Sequence, residues 1–455
     1  MSFSICIRHT LVALAVTLYC RTGIVPGIFR PAMAWSTMQG RGPQPFVHMS
    51  DIFLVNPSGH DRPGLTAQVM DILARHDVNV LDIGQSVIHD TLSLALLLLV
   101  DDESEAGVLK DLVIHTSRLD VDLRLTPVSA QDYAAWVPNQ QRGRYIVTLL
   151  ARQLSAEHLA TISHIISAQG LNIDDITRLS ERQPLTSDLA DGVGGQRACV
   201  QLSVSGQPLN LDTMRASFLS ATAELGIDVA FQADDIYRRH RRVVVLDMDS
   251  TLVQGEIIDE LAAAAGVGEQ VASITAQAMN GEIDFSTSFR RRVALLKGLP
   301  ASRLNEIAEQ VPLTEGAERL IGTLKQLGYR VAILSGGFTY FARHLQHALG
   351  IDDVYANELD IVDGLVSGRV VGEIVDGQRK ADLLQQIAAR EGVRLEQVVA
   401  VGDGANDLQM LSLAGLGIAF RAKPLVRREA RQSLSTVGLD GILYLMGIRD
   451  REIMG

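Results

Sequence analysis

Three short polar clusters in the second half of this sequence carry residue types that can do chemistry. The first is Asp247-Met248-Asp249-Ser250-Thr251. On an extended segment, carboxylates two residues apart project to the same side, and their repulsion is costly unless a cation lies between them or one is protonated. A divalent metal is therefore expected there. The second cluster is Ser335-Gly336-Gly337-Phe338, a hydroxyl followed by glycines that let backbone N–H groups approach an anion, as a phosphate cradle requires. The third is Gly402-Asp403-Gly404-Ala405-Asn406-Asp407, where two glycines permit a sharp turn and two carboxylates offer oxygen ligands suited to magnesium. Lys380 stands between the second and third clusters and is placed to neutralise a transferring phosphoryl group. Each feature taken alone also has an ordinary reading: an Asp-rich solvated turn, a strand-to-helix turn, an Asx-rich turn, a solvated helix lysine.

The elements that must position these clusters are short β-branched runs. Val243-Val244-Val245-Leu246, Val331-Ala332-Ile333-Leu334 and Val398-Val399-Ala400-Val401 each end at one of the clusters. From Arg241 onward such strands alternate with longer helical stretches, the pattern of a parallel sheet covered on both faces. Ligands in such sheets lie outside the carboxyl ends of the strands, so the three clusters are expected to converge on one site.

In this order the residues resemble the haloacid dehalogenase superfamily, whose phosphatases carry D-x-D-x-T, a Ser or Thr after a second strand, a Lys, and G-D-x-x-x-D. The resemblance implies a magnesium-dependent phosphomonoesterase. Asp247 would attack phosphorus, and Asp249 would protonate the leaving oxygen and later deprotonate water. Mg2+ would be held by Asp247, the Asp249 carbonyl and Asp403, with Asp407 steadying that shell. Lys380 and the Ser335 and Gly336 amides would screen the phosphate charge.

The insertion between the first strand and Leu320 is expected to form a small helical cap, about residues 254–318. There Glu256, Met279, Phe285 and Arg290-Arg291-Arg292-Val293 resemble the phosphoserine phosphatase branch of that superfamily. The resemblance runs from about Arg242 to Pro424 and includes Asn357-Glu358 and Ala419 to Pro424. It implies O-phosphoserine as substrate and the last step of serine biosynthesis. Glu256 would bind the ammonium and Arg292 the carboxylate, Met279 and Phe285 would shape the lid, and Asn406 would help at the phosphate. An amino acid zwitterion does need one acid and one planar bidentate donor at opposite ends. Without the resemblance, Arg290–Arg292 would be a solvated basic run and Glu256 an acid favoured by a helix N-terminus. Two rival functions are another small phosphate ester as substrate, such as a sugar phosphate or phosphoglycolate, and a non-catalytic amino-acid sensor that only binds phosphate.

Ahead of this region the element order βαββαβ is read twice, over residues 49–129 and 143–234, separated by a polar linker near Ala130 to Arg142. Asn79-Val80-Leu81-Asp82-Ile83 in the first copy answers Asn172-Ile173-Asp174-Asp175-Ile176 in the second. In the first copy the strand Ile52–Val55 is expected to give way to a turn from Asn56 to Gly64. Both copies resemble ACT domains, ferredoxin-like modules that bind amino acids at paired interfaces. Ser58-Gly59-His60-Asp61-Arg62-Pro63-Gly64 is the turn that carries the resemblance, which makes Gly59, Asp61 and Gly64 candidate effector residues and L-serine the candidate effector. The second copy has Ala151-Arg152-Gln153-Leu154-Ser155 instead. A homodimer is the expected minimum assembly. The expected fold class is therefore α/β and α+β, two ferredoxin-like modules followed by a Rossmann-like parallel-sheet domain over about 240–447.

Composition agrees with several units: 455 residues exceed one compact core, and 47% hydrophobic residues suffice for sizeable ones. The formal charge of −12 argues against a broad nucleic-acid-binding face, which would need many phosphate contacts. Cys6, Cys20 and Cys199 are the only cysteines, with neither metal-ligand spacing nor a disulfide framework, which favours a cytoplasmic setting. At the N-terminus Arg8, the apolar run Leu11 to Cys20 and Ala32-Met33-Ala34 imitate a secretory signal. Residues 1–48 are open to three readings: an export signal, a tail, or an upstream start preceding a natural one at Met49. No segment is long and apolar enough to span a bilayer.

Overall fold

Alternate residues of Val243–Leu246 are buried on opposite sides, as expected of a strand covered on both faces. Val244 and Leu246 pack into one hydrophobic cluster, while Val243 and Val245 pack into another. In the computed structural model, which describes residues 50–139, 143–182 and 197–453, this strand is the middle of a seven-stranded sheet. The sheet order is β12-β11-β10-β9-β13-β14-β15. Its members are β9 (Val243–Leu246), β10 (Arg330–Phe338), β11 (Asp353–Val362), β12 (Leu365–Val371), β13 (Val398–Gly402), β14 (Leu416–Phe420) and β15 (Gln432–Leu434). All neighbouring pairs are parallel except β11 and β12. The chain builds outward from β9 through β10 to β11, then returns to the other side of β9 with β13. The carboxyl end of β9 is thus the topological switch point where α/β folds bind ligands.

The described chain divides into two compact units, one ending at Trp136 and one beginning at Val137. In the first, β1 (Ser50–His60), β2 (Asn79–Ile88), β3 (Thr91–Asp101) and β4 (Val121–Val128) form an antiparallel sheet of order β2-β3-β1-β4. Helices Leu65–Ala74 and Asp102–Arg118 share one core with its inner face. Alternate residues of β3, from Leu92 to Val100, point into that core.

The second unit joins another such module to the seven-stranded sheet. Its strands β5 (Arg144–Ala151), β6 (Asn172–Arg178), β7 (Ala198–Ser205) and β8 (Asp228–Ala233) order as β6-β7-β5-β8. Helices Ala156–Ala168 and Leu211–Leu225 cover one face with a core that includes Val147 and Leu149. Leu150, Leu179, Cys199 and Ala230 instead join the cluster that holds Leu246, Tyr444 and the rest of the large core. This explains why β5 is buried on both faces from Val147 to Ala151.

Two local expectations are corrected. The segment from Asn56 to His60 is strand, because β1 keeps pairing with both neighbours, Ser58 with Ser93 and Gly59 with both Leu92 and Val121. Only Asp61–Gly64 is left to turn, with Gly64 at φ 89. The polar stretch after β4 is mostly the helix Ala130–Asn139. Its first turn is held by Ser129, whose Oγ accepts from the Asp132 N–H and donates to the Asp132 carboxylate. Residues 1–48, read above as tail, leader or misplaced start, lie outside the described residues. Among the described residues no helix is long and apolar enough to cross a membrane.

Candidate active site

At the end of β9 the Asp247 N–H donates to the Val401 carbonyl of β13 at 2.9 Å, which fixes the first aspartate against the strand that delivers the third cluster. The chain then makes one wide turn, Met248–Leu252, closed by the Val253 N–H on the Met248 carbonyl at 3.1 Å. Ser250 takes a left-handed conformation, φ 55, within that turn. Asp247 Oδ1 accepts from the Met248 N–H at 2.7 Å and lies 2.9 Å from Lys380 Nζ. Asp249 Oδ1 accepts from the Ile257 N–H at 3.0 Å, at the start of the helix Ile257–Ala265.

Lys380 is fully buried on the helix Gly377–Arg390, whose N-terminus is capped by Asp376 accepting from the Arg379 N–H. Its ammonium bridges Asp247 and Asp407, the latter at 2.7 Å. Asp407, also fully buried, uses its other oxygen to accept from the Gly404 N–H at 3.0 Å. Gly402 allows this: a Cβ there would overlap the Asp407 carboxylate. Asp403 accepts from the Thr251 hydroxyl at 3.3 Å, and Asn406 is half-buried on the same loop.

β10 carries the second cluster within the strand, with an irregular register against β11 between Leu334 and Phe338. Ser335 is buried and its Oγ accepts from the Gly337 N–H at 2.9 Å. A Cβ on Gly337 would run into Asp249, and one on Gly336 would lie 3.0 Å from the Phe285 ring. The glycines are therefore required by close approach.

The cap leaves the sheet at Val253 and returns at Leu313, where the two residues form an antiparallel bridge. Four helices lie between them: Ile257–Ala265, Gly268–Met279, Phe285–Leu295 and Ala301–Gln310. Glu256, exposed, accepts from the Ser250 hydroxyl at 3.2 Å. Arg292 is partly buried with its guanidinium 5.9 Å from the Phe289 ring centroid, and its Nε is buried without a hydrogen-bond partner. Met279 is 66% exposed at the end of its helix.

The electrostatics of the cluster are those of too many buried acids for one lysine. Burial, then the Asp407 charge, holds Asp247 well above the usual carboxylate range. Asp249 is pushed up to about 7 by burial and by Glu256, and Asp403 to about 7 by burial, Asp407 and Glu256. Burial pulls the Lys380 ammonium down, but Asp247 and Asp407 outweigh it and hold it above its ordinary value. Burial lowers Arg292, against the pull of Glu256, Asp259 and Asp249. One oxygen from each of Asp247, Asp403 and Asp407 lies within 4.8 Å of the others. An all-oxygen donor set with uncompensated negative charge fits a hard divalent cation.

The structure thus brings Asp247, Asp249, Lys380, Ser335, Gly336, Asp403, Asn406 and Asp407 to the strand ends, with Phe285 against Gly336. Glu256 raises Asp249 and Asp403, and Arg292 feels the Asp249 charge. Gly59, Asp61 and Gly64 belong to the first unit: Gly59 within β1, Asp61 exposed and donating its N–H to the Asp90 carbonyl at 2.6 Å, and Gly64 beginning a helix. Sequence reasoning gave Asn357 no role, yet this buried amide donates to the Gly336 carbonyl and accepts from the Val375 N–H, both at 2.8 Å. Thr251, within the first motif, ties that cluster to the third by donating its hydroxyl to Asp403. No local pattern distinguishes such residues, because their partners are distant in sequence.

Known proteins resemble this chain in both parts. The family model for haloacid dehalogenase-like hydrolases matches residues 241–415, and that for ACT domains matches residues 51–126. The phosphoserine phosphatase of Streptomyces coelicolor is 44% identical over 88% of this chain and 93% of its own length. Phosphoserine phosphatase SerB2 of Mycobacterium tuberculosis is 41% identical over 88% of this chain and 94% of its own. The crystal structure of a probable phosphoserine phosphatase from Vibrio cholerae, in unliganded form, superposes with a TM-score of 0.54 at 35% identity, covering 67% of this chain and 87% of that one.

Proposed function

The chain belongs to the phosphoserine phosphatases of the haloacid dehalogenase-like hydrolases, and from that premise we propose that it hydrolyses O-phospho-L-serine to L-serine and phosphate through a phosphorylated Asp247. The observation that carries the reading is the meeting of Asp247, Asp249, Lys380, Asp403 and Asp407 at the carboxyl ends of β9 and β13.

Asp247 presents its free oxygen, Oδ2, to phosphorus, since Oδ1 is taken by the Met248 N–H and Lys380. As the new oxygen–phosphorus bond forms, the bond from phosphorus to the serine oxygen breaks. Asp249, whose carboxyl is pushed up to about 7 and so keeps a protonated fraction near neutral pH, gives its proton to the departing alkoxide. In the second half Asp249, now ionised, takes a proton from the water that attacks the phosphorylated Asp247, releasing phosphate and restoring the carboxylate. Lys380, Ser335, the Gly336 amide and Asn406 steady the phosphoryl oxygens, while Glu256 and Arg292 take the serine ammonium and carboxylate. Phe285 and Met279 line the cap over them. Mg2+ would be held by Asp247, the Asp249 carbonyl and Asp403, with Asp407 fixing Lys380, and when bound it supplies charge neutralisation at the phosphoryl group.

The regions 49–129 and 143–234 act as ACT-like modules and 240–447 as the phosphatase. L-Serine acts as effector at Gly59, Asp61 and Gly64, the protein works as a homodimer, and the reaction is cytoplasmic. Support for the dimer comes from the outer face of the first sheet. There Ile88, paired with Thr91, is exposed, and a groove of about 530 Å³ is lined by Leu54, Leu97, Tyr133 and Trp136.

The test is magnesium-dependent phosphate release from O-phosphoserine. Asp247→Asn is expected to lower turnover by at least about a thousandfold. Arg292→Ala should raise KM for O-phosphoserine by about ten- to a hundredfold while leaving sugar phosphates, which carry no carboxylate, unaffected. Equal loss on every ester would sink the substrate assignment. Calorimetric titration of L-serine into the full chain tests the effector site.

A further inference from the structure

The turn after β5, Ala151–Ser155, holds the same place in its module as Asp61–Gly64 does in the first, yet it is spent on a contact. Arg152 grips both oxygens of Glu315 through its two terminal nitrogens, at 2.5 and 2.6 Å, and its Nε donates to the Thr436 carbonyl at 3.0 Å. Arg421 donates to the same carboxylate at 3.0 Å, and the Glu315 carbonyl accepts from the Leu439 N–H at 2.8 Å. Glu315 follows directly on the stem of the cap. The Thr314 N–H donates to the Leu252 carbonyl and the Gln254 N–H to the Pro312 carbonyl, both at 2.9 Å, around the Val253–Leu313 bridge. Leu252 and Val253 lead straight back to Thr251 and Asp249. The ion pair is partly exposed, so its Coulomb energy alone is small. Its geometry is bidentate, however, and that fixes direction as well as distance.

We propose that Arg152 is a positioning residue for the phosphatase: by clamping Glu315 it holds the stem of the cap in the geometry in which Glu256 and Arg292 meet the substrate. The second module is then a strut for the catalytic cap. Releasing the clamp shifts the cap toward conformations that cannot bind, and apparent affinity falls by the fraction lost while the chemical step is left intact.

The inference rests on the phosphoserine phosphatase reading, and the experiment separates the two. The full-length Arg152→Ala variant is compared with wild type in steady-state kinetics on O-phosphoserine and in amide hydrogen exchange. KM is expected to rise about five- to tenfold with kcat changed less than about twofold, and exchange at Gln254 and Thr314 to quicken by a similar factor. Arg152→Lys should recover part of both. Gln432→Ala serves as control: it removes two hydrogen bonds between the same module and the sheet, with Phe231, away from the stem. It should lower thermal stability without moving KM or the two amides. If Arg152→Ala behaves as Gln432→Ala does, the clamp is only structural and the proposal is overturned. Should Arg152→Ala not fold, Glu315→Gln reads the same quantities. If wild type does not release phosphate from O-phosphoserine, the function reading has failed, and unchanged exchange at Gln254 and Thr314 then still overturns the clamp.

Discussion

A carboxyl group that is buried among other carboxyls stores a pH dependence. Asp249 and Asp403 are each pushed up to about 7, by burial first and neighbouring acids second, whereas in an unfolded chain each titrates near about 4. The metal-free folded protein therefore binds extra protons between those values, and its stability falls as pH rises through that window. Magnesium should raise the melting temperature more at pH 8 than at pH 5, and a scan showing the opposite order would contradict the site. Geometry makes a second demand: a methyl group at position 402 would occupy the space of the Asp407 carboxylate. Gly402→Ala should displace Asp407 and with it Lys380, lowering kcat by about a hundredfold, with circular dichroism showing whether the fold is kept. The five charged residues of the cluster were legible in the sequence because their types and order, and for the four aspartates their strand-end positions, all carried the same chemistry. Asn357 was not, since a buried amide that joins Gly336 to Val375 leaves no mark on the residues beside it.

Among elements, the parallel strands were legible because burial on both faces demands unbroken β-branched runs, as at Val243–Leu246 and Val398–Val401. The first strand runs past its expected end at Val55 to His60. Pro57 and Gly59 are turn formers locally, but pairing across to Ser93 and Val121 extends the ladder through them, and tertiary pairing outweighs local preference. The β11–β12 hairpin was also invisible, though it matters to the cap. The Gly298 and Ala301 amides donate to the Val366 and Gly364 carbonyls, and the Val366 amide donates back to Leu299. The cap is thus tied down at its far end as well as at its stem. The irregular end of β10 from Ser335 to Phe338 depends in turn on Asn357. Asn357→Ala leaves a carbonyl and an amide without their partner, which costs about 1–3 kcal/mol for each buried group. Melting temperature should drop and kcat should fall about tenfold or more, and a variant with normal kcat would show that this strand end holds its shape unaided.

Across the whole second unit, module and phosphatase share their interior. Leu150, Leu179, Cys199 and Ala230 are buried in the same cluster as Leu439 and Tyr444. Asp228 accepts from the Ser435 and Thr436 amides at 2.8 and 2.7 Å, and Arg197 and Arg319 both pair with Asp440. The repeat of βαββαβ was readable, but its attachment was not, because the apolar residues of β5 read alike whichever core they enter. A fragment beginning at His240 should expose that shared surface and associate on gel filtration, while one beginning at Val137 should not. The Gln432 side chain carries one more implication. It accepts from the Phe231 amide and donates to the Phe231 carbonyl, so a side chain fills the open margin of β8 from β15, itself the last strand of its sheet. The margin of β8, which would otherwise template cross-chain pairing, is met at Phe231 by a side chain that cannot propagate a ladder.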